Sequence, residues 1–135
     1  MATLTANEIR TWSLGDHNEL PIIADDIIYR GAAVGDNAAG YNRPLAAADE
    51  FRGFALEKCD NTGGSAGDLN VKVLVRGKVQ LAVGSLAITN VGDPVYASDD
   101  NTFTLVATSN SYIGRVHRFI STGVGIVAFD ADTVI

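Results

Sequence analysis

Three basic side chains lie close together near the end of the chain. The stretch YIGRVHRFI, residues 112–120, contains Arg115, His117 and Arg118. An imidazole titrates near neutral pH and guanidinium groups bind anions, so this set could transfer a proton or hold a phosphate. Alternation along a strand predicts that one face of this stretch is mixed and consists of Ile113, Arg115, His117 and Phe119.

Two glycine-rich stretches resemble nucleotide-binding motifs without their context. GVGIVA, residues 123–128, fits G-x-G-x-x-A, but only ten residues follow Gly125, too few for a crossover helix and a second strand. The loop within residues 59–72 lacks the Gly-Lys-Ser/Thr sequence that leads a P-loop into a helix. We therefore interpret the first stretch as a hairpin with its returning strand, and the second as an exposed hairpin tip.

The residues that could bind a metal or act as a nucleophile have no supporting pattern. The acidic pairs at 25–26 and 99–100 lack the spaced oxygen ligands of a calcium loop, and the second pair is typical of a turn. His17 and His117 lie far apart, Cys59 is the single cysteine, and no serine occupies a nucleophile elbow. The sequence predicts no metal, no cofactor and no enzymatic activity, with a small hydrolase as the enzymatic alternative.

Composition narrows the possible partners. The chain has 135 residues, a formal net charge of −6 and 19% charged residues, below the roughly 25% of typical soluble domains. The negative charge disfavours direct binding to nucleic acid or to an anionic membrane, and the low charge content leaves apolar surface for a protein partner. Neither a membrane span nor a signal peptide is recognisable, so we expect synthesis in a cytoplasm, with Cys59 reduced and structural.

The elements that position these residues are predicted to be strands. From about residue 20, short Val-, Ile-, Phe-, Tyr- and Thr-rich runs alternate with Gly, Asn, Asp and Ser clusters, which predicts an all-β fold, a compact barrel or sandwich. Residues 44–51, PLAAADEF, favour a helical turn. In LNVKVLVRGKVQLAV, residues 69–83, a bend at Gly77 would direct the apolar residues on both sides toward one core.

The chain also contains an internal repeat. A shift of 61 positions aligns residues 30–34 with 91–95, and FRGFALEK, residues 51–58, with residues 112–119. We predict two related tandem β-units, about 20–85 and 86–135, within one domain of residues 20–135. Phe54 occupies the position equivalent to Arg115, so the strand is used twice and the basic residues once. We therefore predict a structural role for this strand. Its side chains Arg115, His117 and Phe119 are expected to be solvated or to form contacts with a partner.

Residues 1–19 have neither β alternation nor a counterpart in the repeat. They include the only tryptophan, and tryptophan, arginine and aliphatic side chains are typical interface anchors. One interpretation is an extended N-terminal arm that becomes ordered on a partner, and the other is a frayed terminus with the tryptophan packed on its own domain. The candidate contact residues of the arm are Leu4, Ile9, Arg10, Trp12 and Leu14.

Taken in order, five stretches resemble the small capsid decoration (cement) proteins of tailed bacteriophages. They are LPIIADDIIYRGAAVGDNAAGYNRPL, FRGFALEKCDNTGGSAGDLNVKVLVRGKVQLAV, VGDPVYASDDNTFTLV, YIGRVHRF and GVGIVAFD. The resemblance covers roughly residues 20–130 and consists of glycine turns and strand patterns. It implies a compact β-barrel or β-sandwich without an active site.

The resemblance also implies a function and partners. Such proteins form homotrimers on the outer surface of the expanded head, where they bind the major capsid protein and stabilise the shell against the pressure of packaged DNA. The expected location is therefore the virion, after synthesis in the host cytoplasm. The alternatives are another virion structural protein, such as a head–tail connector or tail-tube component, and a glycan-binding module.

Overall fold

The computed structural model describes residues 5–7 and 15–132. Within these residues the chain forms strands and one short 3₁₀ helix, η1 (Ile88–Asn90), so the prediction of an all-β fold is confirmed. The strands are β1 (His17–Pro21), β2 (Ile27–Ile28), β3 (Ala33–Asp36), β4 (Asn42–Pro44), β5 (Glu50–Ala55), β6 (Cys59–Asp60), β7 (Asn70–Leu74), β8 (Arg76–Ala82), β9 (Pro94–Ala97), β10 (Phe103–Thr104), β11 (Ser111–Ser121) and β12 (Val124–Asp130).

The strands form two large antiparallel sheets and one small one. Sheet 1 has the order β1-β7-β5-β3-β4, sheet 2 has the order β10-β9-β11-β12-β8, and β2 pairs with β6. The two large sheets stack with a shared apolar core between them. Single bridges also join the continuations of β1 and β8 to the far edge of each sheet, Ile22 to Asn42 in β4 and Val83 to Phe103 in β10, so the described part of the chain combines features of the barrel and of the sandwich.

The two large sheets have the same order of equivalent strands when sheet 1 is read from β1 and sheet 2 is read from β8, and their equivalent ladders have the same register. In sheet 1, β3 pairs with β5, and in sheet 2, β9 pairs with β11, each with a bulge at the same place in the ladder. Every residue of the second ladder lies 61 positions after its equivalent in the first. The pairs are Ala33–Phe54, Val34–Gly53, Gly35–Phe51 and Asp36–Glu50 in sheet 1, and Pro94–Arg115, Val95–Gly114, Tyr96–Tyr112 and Ala97–Ser111 in sheet 2.

The strand assignments also revise the boundaries drawn from the sequence. β8 belongs to sheet 2, so that sheet begins at Arg76, ahead of the boundary near residue 85. The chain crosses between the sheets just before Gly77, and the apolar residues of β7 and β8 consequently face two different clusters instead of one. At the other end, β1 begins at His17 and pairs with β7, so residues 17–19 are part of sheet 1.

The main core joins unlike faces of the two sheets. Sheet 1 contributes Ala33 and Phe54, whereas sheet 2 contributes Val95, Val116 and Val127. Pro94 and Arg115, the sheet 2 residues equivalent to Ala33 and Phe54, lie on the opposite face of sheet 2. The two sheets are therefore stacked head to tail, with equivalent faces pointing the same way.

The other face of sheet 1 is covered by a second apolar cluster. Val71, Val73 and Val75 pack there against Ile28 and Cys59, which come from the paired strands β2 and β6. These two short strands and their loops thus cap sheet 1. Within the described ranges, no equivalent strands cap the far face of sheet 2, which we call the outer face.

Two local predictions have different outcomes. The stretch 44–51 contains a tight turn between β4 and β5 and not a helical turn: the Asp49 amide donates to the Ala46 carbonyl at 3.0 Å, and Ala48 has a φ of +71°. This left-handed residue cannot continue a right-handed helix. The hairpin interpretation of GVGIVA is confirmed, because β11 and β12 pair as an antiparallel hairpin and Gly123 has a φ of +81°.

Candidate interaction surfaces

The three predicted contact residues of β11 point in different directions. Arg115 is exposed and donates a hydrogen bond from Nη1 to the Gly92 carbonyl at 3.2 Å. His117 is exposed, whereas Phe119 is half-buried and packs against the main core. The structure therefore places Arg115 and His117 on the surface and Phe119 between surface and core.

The single mixed face expected for this strand is wrong because β11 is not regular. Ile113 is 1% exposed and lies in the main core, on the same side as Val116. Register shifts occur between Tyr112 and Gly114 and between Val116 and Arg118, and each inserts one residue into the alternation. Each bulge reverses the face on which the following side chains appear, which simple alternation cannot foresee.

Basic side chains from two strands share the outer face of sheet 2. Residues directly opposite in an antiparallel ladder project from the same face. Lys78 lies opposite Ala128, which lies opposite Arg115, and in the next outward-facing row Ile126 lies opposite Arg118. Lys78, Arg115 and Arg118 are all exposed, so the outer face carries a basic cluster across β8, β12 and β11.

Half-buried apolar side chains lie between and beside these cations. Val124, Ile126 and Ala128 form a stripe along β12, and each is of intermediate exposure. Tyr96 and Tyr112 extend the surface, with ring centroids 5.8 Å apart in an edge-to-face arrangement. An apolar centre with aromatic and arginine side chains beside it is the composition of a protein-binding surface.

The sequence analysis missed Lys78 as a member of this cluster. The signal appears only when the shift of 61 positions is extended back into β1: Lys78 lies 61 positions after His17, as Arg115 does after Phe54. On the buried face of sheet 1 the equivalent residues are Phe54 and Leu74, whereas on the outer face they are Arg115 and Ala128. Sheet 2 thus has a charged residue and a smaller residue where sheet 1 has apolar residues that face the core.

The cap over sheet 1 carries charge of the opposite sign. Asp25, Asp26, Asp60 and Asp68 lie on β6 and on the loops beside β2 and β6, and we call them the acidic cap. All are exposed or half-exposed, and in the described ranges none forms a salt bridge. Hydrogen bonds from Thr62 lower the pKa of the Asp60 carboxyl, which keeps this group ionised.

Asp100 reaches the acidic cap from the loop between β9 and β10. Its backbone carbonyl accepts a hydrogen bond from the Ala33 amide at 2.9 Å, which holds the loop against sheet 1. Burial raises the pKa of the Asp100 carboxyl, and the negative charges of Asp99 and Asp26 raise it further. An ionised Asp100 therefore opposes folding.

We expect Asp100→Asn to stabilise the protein by about 0.5–1 kcal/mol at pH 7, because it removes a buried, repelled charge. A carboxyl whose pKa is raised in the folded state lowers the stability of the protein as the pH rises through that pKa. The stabilisation by Asp100→Asn should therefore disappear near pH 3, where the carboxyl is protonated in both the folded and the unfolded state. Urea unfolding at the two pH values measures this difference. An equal gain at both would contradict an electrostatic cause.

A cleft of about 450 Å³ opens between the sheets at the start of β11. The Ser111 hydroxyl on its wall belongs to a residue 3% exposed and has no hydrogen-bond partner in the part of the chain described here. Burial raises the pKa of the neighbouring Asp49 carboxyl, but hydrogen bonds from Arg43, at 2.9 and 2.7 Å, together with one from the Ala46 amide and the positive charge of Arg43, outweigh burial and lower the pKa. The Asp49 carboxylate on the wall of the cleft thus forms an ion pair with Arg43 of the same molecule.

The residues considered for metal or nucleophilic chemistry lie apart. Cys59 is 8% exposed within the second cluster, and burial raises the pKa of its thiol, which reduces the thiolate population. The Asp99 carboxylate accepts a hydrogen bond from the Asn101 amide, as in an ordinary turn, and the Asp25 carboxylate accepts one from the Gly63 amide, which joins two distant loops. Across residues 5–7 and 15–132, no group of three or more His, Cys, Asp or Glu side chains could hold a metal ion.

The arm residues Leu4, Ile9, Arg10, Trp12 and Leu14 lie outside the described residues. Their contact role stays a prediction. In the described ranges, no helix has the length and apolar character needed to cross a membrane. No protein-family model matches this chain and no curated protein matches its sequence, so no relative assigns a role to these residues.

Proposed function

We propose that this chain is a capsid decoration protein of tailed bacteriophages, which binds the outer surface of the expanded head as a homotrimer and stabilises the shell. The observation that carries the proposal is the uncovered outer face of sheet 2, which supports association of the chain into the trimer that joins its arms. One of two equivalent sheet faces is buried inside the molecule, and the other is left open with cations around an apolar stripe. This is a rigid module with a surface suited to protein contact.

The resemblance in sequence supports the same function. The stretches that carry it include β2–β5, β7–β12 and the glycine turns between these strands. The proposal gives the chain no catalytic role and no cofactor. Its partners are the major capsid protein and further copies of itself, and its location is the outside of the virion.

The mechanism is differential binding to two states of the shell. A ligand that binds only the expanded lattice stabilises that lattice by RT ln(1 + [L]/Kd). Joining three binding arms in one oligomer raises the apparent affinity by about 10²- to 10⁴-fold when all three reach their sites. Weak single contacts then become firm attachment, which resists rupture under internal pressure.

The test uses heads built from the major capsid protein encoded with this chain. Purified protein is mixed with expanded, undecorated heads and with unexpanded heads, and both samples are pelleted and imaged by cryo-electron microscopy. We expect added density at three-fold and quasi-three-fold positions of the expanded heads alone. No density on expanded heads, or equal density on both forms, would refute the proposal.

A further inference from the structure

The two sheets have equivalent faces, and their head-to-tail stacking buries one of these faces and leaves the other uncovered. The face of sheet 1 that contains Phe54 is covered by sheet 2, and its equivalent, which contains Arg115, is uncovered. The opposite face of sheet 1 ends at the cap formed by β2 and β6. One molecule therefore presents two unlike ends along its stacking direction.

These two ends differ in charge: the outer face of sheet 2 is basic, and the cap is mainly acidic, with Arg30 and Lys58 beside its strands. The outer face of sheet 2 presents Lys78, Arg115 and Arg118, and no acidic residue occupies the paired rows from Lys78 to Ala82. The other end presents the acidic cap. Within the described ranges, neither the Lys78 side chain nor the Arg118 side chain has a hydrogen-bond or ion-pair partner, so both cations are available to a second molecule.

We propose that the outer face of sheet 2 binds the acidic cap of a second copy of this chain, which continues the internal head-to-tail order from one molecule to the next. A contact between unlike surfaces is heterologous, and repeating it closes a ring when the rotation per subunit allows. The apolar stripe of β12 supplies the centre of the contact, and the opposite charges orient the two copies and exclude the reverse arrangement. This inference identifies the surfaces through which copies in the proposed trimer contact each other. It rests on the proposed function only for the number of copies in the ring.

The test is a charge-reversal cycle on the full-length chain. One variant carries Arg115→Glu and Arg118→Glu, a second carries Asp25→Lys and Asp60→Lys, and a third combines all four. Self-association is measured by analytical ultracentrifugation and native mass spectrometry at low and high salt, with circular dichroism to confirm folding. Lys72→Glu is the control for charge reversal on sheet 1: Lys72 is an exposed cation, and the ion pair that the substitution breaks, with Glu57 at 3.5 Å, joins two largely exposed side chains.

We expect the natural chain to associate into multiples of its 14.2 kDa mass. Each two-site variant should weaken association by tenfold or more, and the four-site variant should recover most of that loss, because each reversed cation again meets a reversed acid. High salt should weaken the natural contact. Lys72→Glu should have little effect.

Three outcomes would overturn this inference. They are a natural chain that stays a single copy at low salt, association that the Arg115 and Arg118 substitutions leave unchanged, and a folded four-site variant that does not recover. Attachment to heads is measured separately. An associating protein that ignores expanded heads would thus refute the proposed function and not this contact.

Discussion

We expect Gly114→Ala to destabilise the protein by about 3 kcal/mol. Gly114 lies in the middle of sheet 2, where β11 is flanked by β9 and β12. A methyl group at this position would meet the Ala128 carbonyl oxygen well inside van der Waals contact. Because both neighbouring strands are held in ladders, β11 cannot move away without losing hydrogen bonds on one side.

The equivalent glycine of sheet 1 should behave in the same way. A methyl group on Gly53 would meet the Leu74 carbonyl oxygen, and Gly53 has a φ of +130°, which disfavours any side chain. Gly84→Ala is the matched control, since its nearest contact would be the Phe103 carbonyl oxygen at an ordinary 3.9 Å. Urea unfolding measures all three variants, and a Gly114→Ala midpoint equal to that of Gly84→Ala would contradict the steric argument.

Removing residues 1–14 should reduce attachment to expanded heads by at least about 100-fold and leave the two large sheets folded. The loss is expected because the proposed arms supply the linked contacts. The cut is placed before Gly15 because the Val75 amide donates to the Asp16 carbonyl at 2.8 Å and β1 begins at His17. A cut after residue 19 would remove part of sheet 1 and confuse a folding defect with a binding defect.

A single substitution sharpens this experiment. Trp12→Ala should weaken binding by about 2 kcal/mol per arm if Trp12 is an anchor, and Thr11→Ala next to it should have little effect. Pelleting of labelled protein with heads measures affinity, and circular dichroism and native mass control for folding and association. Full binding by the truncated chain would refute the arm hypothesis, whereas loss of binding by both point variants alike would argue against a specific role for Trp12.

The sequence showed which stretches form strands better than it showed where their side chains point. The runs that became β7, β8, β9 and β12 were predictable, because period-two patterns and glycine turns are local signals. β1 and β3 have no such pattern: HNELP is polar and mostly exposed, and AVGD contains alanine, glycine and aspartate, which are depleted in strands. Both strands are held by pairing with distant residues, which no short window contains.

By itself, the sequence determined the all-β class and the recurrence of one strand pattern after 61 residues. The tertiary structure decided which faces are buried. The bulge between Tyr112 and Gly114 turns Ile113 into the core and leaves Arg115 outside, and the stacking of unlike sheet faces covers Phe54 but not its equivalent. Local side-chain patterns encode secondary structure, whereas burial depends on which sheet packs on which, and that follows from contacts between residues far apart in the chain.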